Sequence, residues 1–271
     1  MKDKVVLITG GSSGIGKALA QEFGKKGSKI VVTGRDAGKL AEVSAELARD
    51  GIDHLSLTAD VSSRADNESV VAQTIARYGR LDVLINNAGI SMRAMFEDLD
   101  PEVIRQVMEI NFFGSVYATK AALPYLLEAK GSIVGISSIA GYRGLPVRCG
   151  YSASKFALNG FLEALRTELL YSGVHVLTAA PGFTASNIRF ASLGKDGSRT
   201  GETMRDEGNM MSAEEVAAHL YKAVLHRRRE LVLTTQGKLT VFLNKLFPKF
   251  MDKMVYNELA KEANSPLRKR S

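Results

Sequence analysis

The chain has 271 residues, 45% hydrophobic and 24% charged, which excludes disorder as a starting point and suffices for one large α/β domain. A single cysteine, Cys149, excludes an internal disulfide and a Cys-rich zinc site; the four histidines show no ligand spacing, and a reducing, cytoplasmic setting is expected. The net charge of +7 belongs to the C-terminal fifth: from Lys222 onward twelve Lys or Arg face four Asp or Glu, leaving residues 1–221 at −1, so the basicity is local and no nucleic-acid partner is expected.

Val5 to Ile8 is too short for a signal-peptide core or a membrane span and reads as a buried strand. It runs through Thr9 into Gly10-Gly11-Ser12-Ser13-Gly14-Ile15-Gly16, after which Lys17 to Lys26 has helical periodicity. Strand, glycine loop and helix together let the backbone approach an anion and aim free N–H groups at it, so a phosphate is the natural occupant. The stretch is nearly a nucleoside-triphosphate loop, Gly11-x-x-x-x-Gly16-Lys17, but Ala18 stands where Ser or Thr would hold magnesium.

The run TGGSSGIG resembles the cofactor loop of the short-chain dehydrogenase/reductase family, and the motifs that follow extend the resemblance over roughly residues 4–235. It implies that Gly10, Ser12, Ser13, Gly14, Ile15 and Gly16 line a nicotinamide dinucleotide. Past a second strand at Lys29–Thr33, the family places a residue on the adenosine ribose. Arg35 stands there, a cation suited to a 2′-phosphate where an acid would bind a hydroxyl, so NADP(H) is the expected cofactor. A third strand, about His54–Thr58, leads to Asp60-Val61, which resembles the family's adenine-contacting pair. Ser62 or Ser63 can cap the next helix, running to about Tyr78. The fourth strand, Asp82–Ile85, ends in Asn86-Asn87-Ala88-Gly89, a family signature that places Asn87, Ala88 and Gly89 beside the cofactor.

A longer helical segment from Pro101 carries Asn111, a locally unfavourable helix residue. It matches a family asparagine that kinks this helix and holds a water in a proton relay. The fifth strand, Ser132–Ile136, runs into Ser137-Ser138; Ser138 lies thirteen residues before Tyr151, the spacing of the catalytic serine in relatives. Tyr151 and Lys155 are four apart at the head of a helix from about Gly150 to Leu170, hence on one face. The sixth strand, Val174–Ala179, ends in Pro181-Gly182, where the resemblance takes the chain past the nicotinamide. Thr184, or Ser186 beyond it, stands near the family's carboxamide-binding threonine, though the spacing differs. The resemblance implies that Ser138 bonds the substrate oxygen and Tyr151 gives it a proton. Lys155 would lower the phenol's pKa and hold the ribose, and Asn111 would link Lys155 through water to solvent. No metal is implied.

From Phe183 to Met211 a Gly- and Ser-rich stretch carries Phe183, Ile188, Phe190, Leu193, Met204, Met210 and Met211, and reads as a lid over an apolar substrate. Candidate pocket residues are Met92, Met95, Phe96, Ile139, Tyr142, Leu145 and Val147, with Arg93, Arg143 and Arg148 adding charge. The mix suits a carbonyl or secondary alcohol on an apolar, lipid-derived molecule with an anionic or polar end: a ketoacyl thioester, a keto-sphingoid base or a similar ketone. The alternative is a non-catalytic NADP(H)-binding regulator or scaffold. A seventh strand is expected at Leu231–Thr234.

The alternation implies a Rossmann-like, doubly wound parallel α/β sheet of about seven strands. It forms a single domain over 1–236, with the lid at about 183–211 and a basic amphipathic extension over 237–271. Segment 238–260 has helical apolar spacing interleaved with lysines. It suits packing on its own domain or on a second subunit in a homodimer or homotetramer, and otherwise a peripheral contact with an anionic membrane.

Overall fold

The computed structural model describes residues 1–182, 184, 192–201, 210–262 and 264–270. Seven apolar runs form strands: β1 (Val5–Ile8), β2 (Lys29–Gly34), β3 (His54–Thr58), β4 (Val83–Asn86), β5 (Ser132–Ile136), β6 (His175–Ala180) and β7 (Glu230–Val232). They pair in parallel in the order β3-β2-β1-β4-β5-β6-β7, the Rossmann-like sheet expected from the alternation. Helices α1 (Gly14–Lys25), α2 (Ala37–Arg49), α3 (Arg64–Tyr78), α4 (Pro101–Met108), α5 (Gly114–Ala129), α6 (Cys149–Glu168) and α7 (Ala213–Leu225) flank it, followed by α8 (Thr235–Leu246) and α9 (Pro248–Ala260).

Central strands buried on both faces read as unbroken apolar runs. The two-residue period still sorts their side chains. Val6 and Ile8 point into the layer holding Phe23 of α1, Leu47 of α2 and Leu220 of α7; Val5 and Leu7 point into the layer of Val70 of α3, Leu126 of α5 and Leu162 of α6. Each fully buried aliphatic side chain contributes roughly 1.5–3 kcal/mol, so two filled layers hold the sheet. Local signals set the helix ends. Of the two candidate serines Ser63 caps α3, accepting from Asp66 N at 3.2 Å, and Ser212 with Glu215 forms a reciprocal capping box at α7.

The structure departs from the sequence reading in three places. The long helix from Pro101 is interrupted by a widened π turn at Glu109–Phe113 that turns Asn111 inward, so α4 and α5 are separate. β7 stops at Val232 because Thr234, at φ 64°, reverses the chain and caps α8, accepting from Gly237 N at 3.0 Å. The C-terminal extension begins at Thr235, earlier than the expected 237, while its packing on its own domain is one of the expected arrangements: Met251, Val255 and Leu259 are buried against Val147, with Leu145 and Met95 packed beside them. Its other face leaves Leu239, Phe242, Leu246, Phe247 and Phe250 each more than half exposed. Among the described residues no helix is long and apolar enough to cross a membrane. Much of the expected lid, including Phe183, Ile188, Phe190 and Met204, lies outside the described residues. Of the rest, Leu193 bridges to Met92 and Arg199, and Thr184 to Met211.

Asp82, just before β4, ties the start of β1 to its neighbour. Its carboxylate accepts from Val5 N at 3.0 Å, Lys4 Nζ at 3.0 Å, and Arg80 Nε and Nη2 at 2.8 and 2.6 Å. Burial alone would raise its pKa, but the bonds from Arg80, Val5 and Lys4 outweigh that and hold it below the ordinary carboxyl value. Asp82→Asn is expected to cost about 1–3 kcal/mol at pH 7, read as a lower urea midpoint. A carboxyl whose folded pKa is depressed stabilises fully above its unfolded value and loses that contribution as pH falls through the folded one. The gap between wild type and variant should therefore close below pH ~4. A gap constant down to strong acid would count against the carboxylate.

Candidate active site

The carboxyl ends of β1, β4, β5 and β6 open into a cavity of about 780 Å³. Its cofactor-shaped end begins at the glycine loop. Gly10 and Gly14 have φ of 66° and 52°, values that favour glycine. At Gly16 a Cβ would lie 2.2 Å from Gly10 O and 2.5 Å from Asn87 Nδ2, so no other residue fits. Asn87 fastens this loop to the end of β4: its Nδ2 donates to Thr9 O and Gly10 O, both at 2.9 Å. The backbone N–H groups of Asn87 and Ala88 donate to Thr9 Oγ1 at 3.0 and 3.1 Å. Ser13, at the head of α1, makes no side-chain cap, so its hydroxyl does not compete for the helix's first N–H groups. Lys17 forms an ion pair with Glu46 at 2.7 Å and does not line the cavity, so it does not act as a triphosphate-loop lysine.

At the far side of this end, Arg35, Asp36 and Lys39 line the cavity past β2. Arg35 is half-exposed, with only a long 4.0 Å contact to Asp60, so its guanidinium remains accessible to an anionic ligand. Asp60 itself is not part of the lining; its Oδ1 accepts from Ser62 N at 2.9 Å and Ser62 Oγ at 2.7 Å. Of the expected pair Asp60-Val61, Val61 lines the cavity together with Ala59, while the Asp60 carboxylate closes its own turn.

Where the cavity passes β5, the Tyr151, Lys155 and Ser138 side chains meet. The i, i+4 spacing on α6 stacks Lys155 Nζ 5.8 Å from the Tyr151 ring centroid, and Nζ donates to Ile136 O at 2.9 Å. Ser138 caps the short turn after β5, its Oγ accepting from Ala140 N at 3.2 Å, and acts on the Tyr151 phenol; Ser137 differs, its buried Oγ having no hydrogen-bond partner among the described residues. Burial pushes the Tyr151 phenol up; Ser138 and the charge of Arg148 pull against it. The expected lowering of this phenol by Lys155 acts together with the cationic nicotinamide of the oxidised complex. Burial draws Lys155 itself down to about 8.

Asn111 does not reach the cavity surface. Its Oδ1 accepts from Ile90 N at 2.8 Å, while its Nδ2 donates to Ile90 O and to Ser154 Oγ, both at 2.9 Å. Ser154 lies beside Lys155, so the π turn clamps the β4 loop to α6, a partner the sequence pattern did not disclose. Pro181, Gly182 and Thr184 line the wall after β6 as expected, as do Ser12, Ile15 and Gly89 elsewhere.

Among the described residues, most of the apolar set read from the sequence as a substrate pocket does not line the cavity. Met92 and Val147 are buried in core clusters, Phe96 is exposed, Tyr142 donates to Glu230, and Arg143 turns to Asn244 and Asp252. Of that set, Leu145, Arg93 and Arg148 line the cavity, joined by Glu262, which no local signal singled out.

The sequence matches the family model described as short chain dehydrogenase over residues 4–195. It is 36% identical over 271 residues to dehydrogenase/reductase SDR family member 7B of Mus musculus, covering 98% of this chain and 84% of that one. It is 38% identical over 261 residues to 11-beta-hydroxysteroid dehydrogenase 1A of Arabidopsis thaliana, covering 92% and 73%. Among solved structures, a short chain dehydrogenase/reductase from Burkholderia phymatum in complex with NAD superposes with TM-score 0.82 at 23% identity, covering 92% of this chain and 95% of that one. A short-chain dehydrogenase from Streptomyces avermitilis gives 0.80 at 27%, covering 96% and 98%.

The buried Lys155 makes a prediction of its own. Its folded pKa of about 8 lies below the unfolded value, so the full burden is present at pH 7 and is relieved as pH rises from about 8 towards the unfolded value. The burden is on the order of 2–3 kcal/mol. Lys155→Met should melt at or above the wild type at pH 7 in the ligand-free protein, with the difference shifting in favour of wild type by pH 10. An equal loss of stability at both pH values would refute the assignment.

Proposed function

The chain belongs to the short-chain dehydrogenase family, an oxidoreductase family, and from that premise we propose that it is an NADP(H)-dependent enzyme interconverting a carbonyl and a secondary alcohol. One observation carries the reading: Ser138, Tyr151 and Lys155 meet on the cavity wall, with Lys155 Nζ 5.8 Å from the Tyr151 ring centroid.

A nicotinamide dinucleotide fits the residues present. Gly10, Gly14 and Gly16 leave room for its phosphates against the head of α1, and Val61, Asn87 to Gly89, and Pro181 to Thr184 continue the cradle. When bound, such a cofactor supplies or accepts the hydride. Arg35 supports the 2′-phosphorylated form, because a guanidinium presents paired donors to a phosphate; Lys39 beside it adds a second cation.

The chain's own part is positioning and proton transfer. Ser138 orients the substrate oxygen next to the Tyr151 hydroxyl. Burial keeps that phenol protonated at neutral pH, the state needed to donate to a carbonyl oxygen as it becomes an alcohol. Oxidation of the alcohol uses the phenolate and is therefore assisted at higher pH. The Lys155 ammonium, 5.8 Å from the Tyr151 ring centroid, and Arg148 would favour the phenolate that forms. Asn111, through Ser154 and Ile90, holds the two walls in register.

Turnover of a panel of ketones, followed by loss of NADPH absorbance, tests the reading. Tyr151→Phe retains the ring and removes the proton; it should keep the fold and cofactor affinity while turnover falls by roughly 10²–10⁴. Full activity in that variant would eliminate Tyr151. Arg35→Asp should lower kcat/KM for NADPH on the order of tenfold to a hundredfold relative to NADH, whereas an unaltered ratio would remove the case for the 2′-phosphate.

A further inference from the structure

Beyond Tyr151 the cavity ends in charge. Arg93, in the loop after β4, and Arg148, at the head of α6, both line it and converge on Glu262, which follows α9. Arg148 Nη2 donates to Glu262 Oε2 at 2.9 Å, and Arg93 Nε stands 3.8 Å from the same oxygen. The three side chains are 16%, 14% and 2% exposed, so these charges meet out of bulk water, where pairing decides whether they are tolerated. Arg148 makes one bond to this carboxylate. Its other terminal nitrogen, Nη1, is buried without a hydrogen-bond partner among the described residues. A guanidinium is built to offer two parallel donors to a carboxylate, so half of that fork is unused.

The position of this fork is as informative as its chemistry. Arg148 lies three residues before Tyr151 on the same helix, and its charge acts on the phenol. Leu145 gives the adjoining wall an apolar surface. Glu262 sits past the end of α9, whose Met251, Val255 and Leu259 are buried in the core together with Leu267, so its backbone is held near the subsite and an exchange of partners falls to the carboxylate side chain.

We propose that Arg148 and Arg93 form a carboxylate-binding subsite for the substrate, and that Glu262 is an internal carboxylate which holds the subsite until the acid group of the substrate replaces it. The substrate class is an apolar oxo acid, its ketone at Tyr151 and its carboxylate at Arg148. The assignment of the ketone rests on the reductase reading above; binding of the acid does not. The C-terminal segment thereby gates the substrate end, and an uncharged ketone, unable to compete for Arg148, is the poorer ligand.

The test uses the full chain with NADPH and two probes of one length, decanoate and methyl decanoate, titrated by calorimetry. Decanoate should bind and the ester should bind at least several-fold more weakly. Glu262→Gln should tighten decanoate by roughly tenfold and leave the ester unchanged, and Arg148→Gln should abolish the preference for the acid. Equal affinity for acid and ester in wild type and Glu262→Gln overturns the proposal, as does an undiminished preference in Arg148→Gln. Should Glu262→Gln prove too unstable to titrate, Arg148→Lys keeps the charge and loses the fork. Weakened decanoate binding there supports the subsite, and unchanged binding overturns it. Turnover of 9-oxodecanoate and its methyl ester is measured alongside. Decanoate binding without turnover of either ketone would count against the reductase reading and leave the subsite standing.

Discussion

The absence of space at Gly16 is the constraint on which the site depends. With Gly10 O and the Asn87 amide pressed against that Cα, the loop after β1 and the loop after β4 form one object, and Thr9 secures it from below. β1 and β4 are neighbours because the strand order reverses direction there, and a parallel sheet opens its crevice at such a point. The head of α1 is consequently held at the crevice with its N–H groups free. Arg35, one strand outward, and Tyr151, two strands inward past β4 and β5, are the two ends of the same opening.

The wall that holds Tyr151 and Lys155 carries an unfavourable charge. Lys155 is enclosed with a backbone carbonyl as its acceptor, and Tyr151 is shielded enough to keep its proton. Neither condition favours folding; both suit a group that must give up a proton on demand. The surrounding structure compensates by rigidity. The π turn spends one irregular helical turn to bring Asn111 onto Ile90 and Ser154, which fixes the β4 loop relative to α6. Side chains locked on a helix face and a strand end hold a reacting geometry better than side chains on a loop.

The basic C-terminal fifth divides into parts with different physical roles. Arg227 is bound to backbone carbonyls of Lys130 and Gly173, and Arg229 lies near Glu163, so the cluster after α7 stitches the molecule to itself. The lysines of α8 and α9 stay in solvent beside exposed Phe242, Phe247 and Phe250. The opposite face of α9 is core. A composition average merges these environments, and for that reason charge alone could not choose among packing, partner and membrane.

Much of the fold and of the reacting centre was legible because it is written over short distances. Apolar runs, glycines at a strand end and the i, i+4 pair Tyr151 and Lys155 each specify geometry within a few residues, and Ser138 was singled out by the family resemblance through its thirteen-residue spacing to Tyr151. Side-chain direction at turns was not legible: Asp60 closes its own turn, and Met92 and Val147 face the core although their neighbours Arg93 and Arg148 face the cavity. Least legible was Glu262, which meets Arg148 across 114 positions. The sequence alone determined the sheet, the glycine loop and the shared helix face of Tyr151 and Lys155, since periodicity and spacing govern contacts between near neighbours. Only the tertiary structure decided which side chains wall the substrate end, since packing α9 against Val147 brings a distant carboxylate to that place, and no local pattern encodes such a contact.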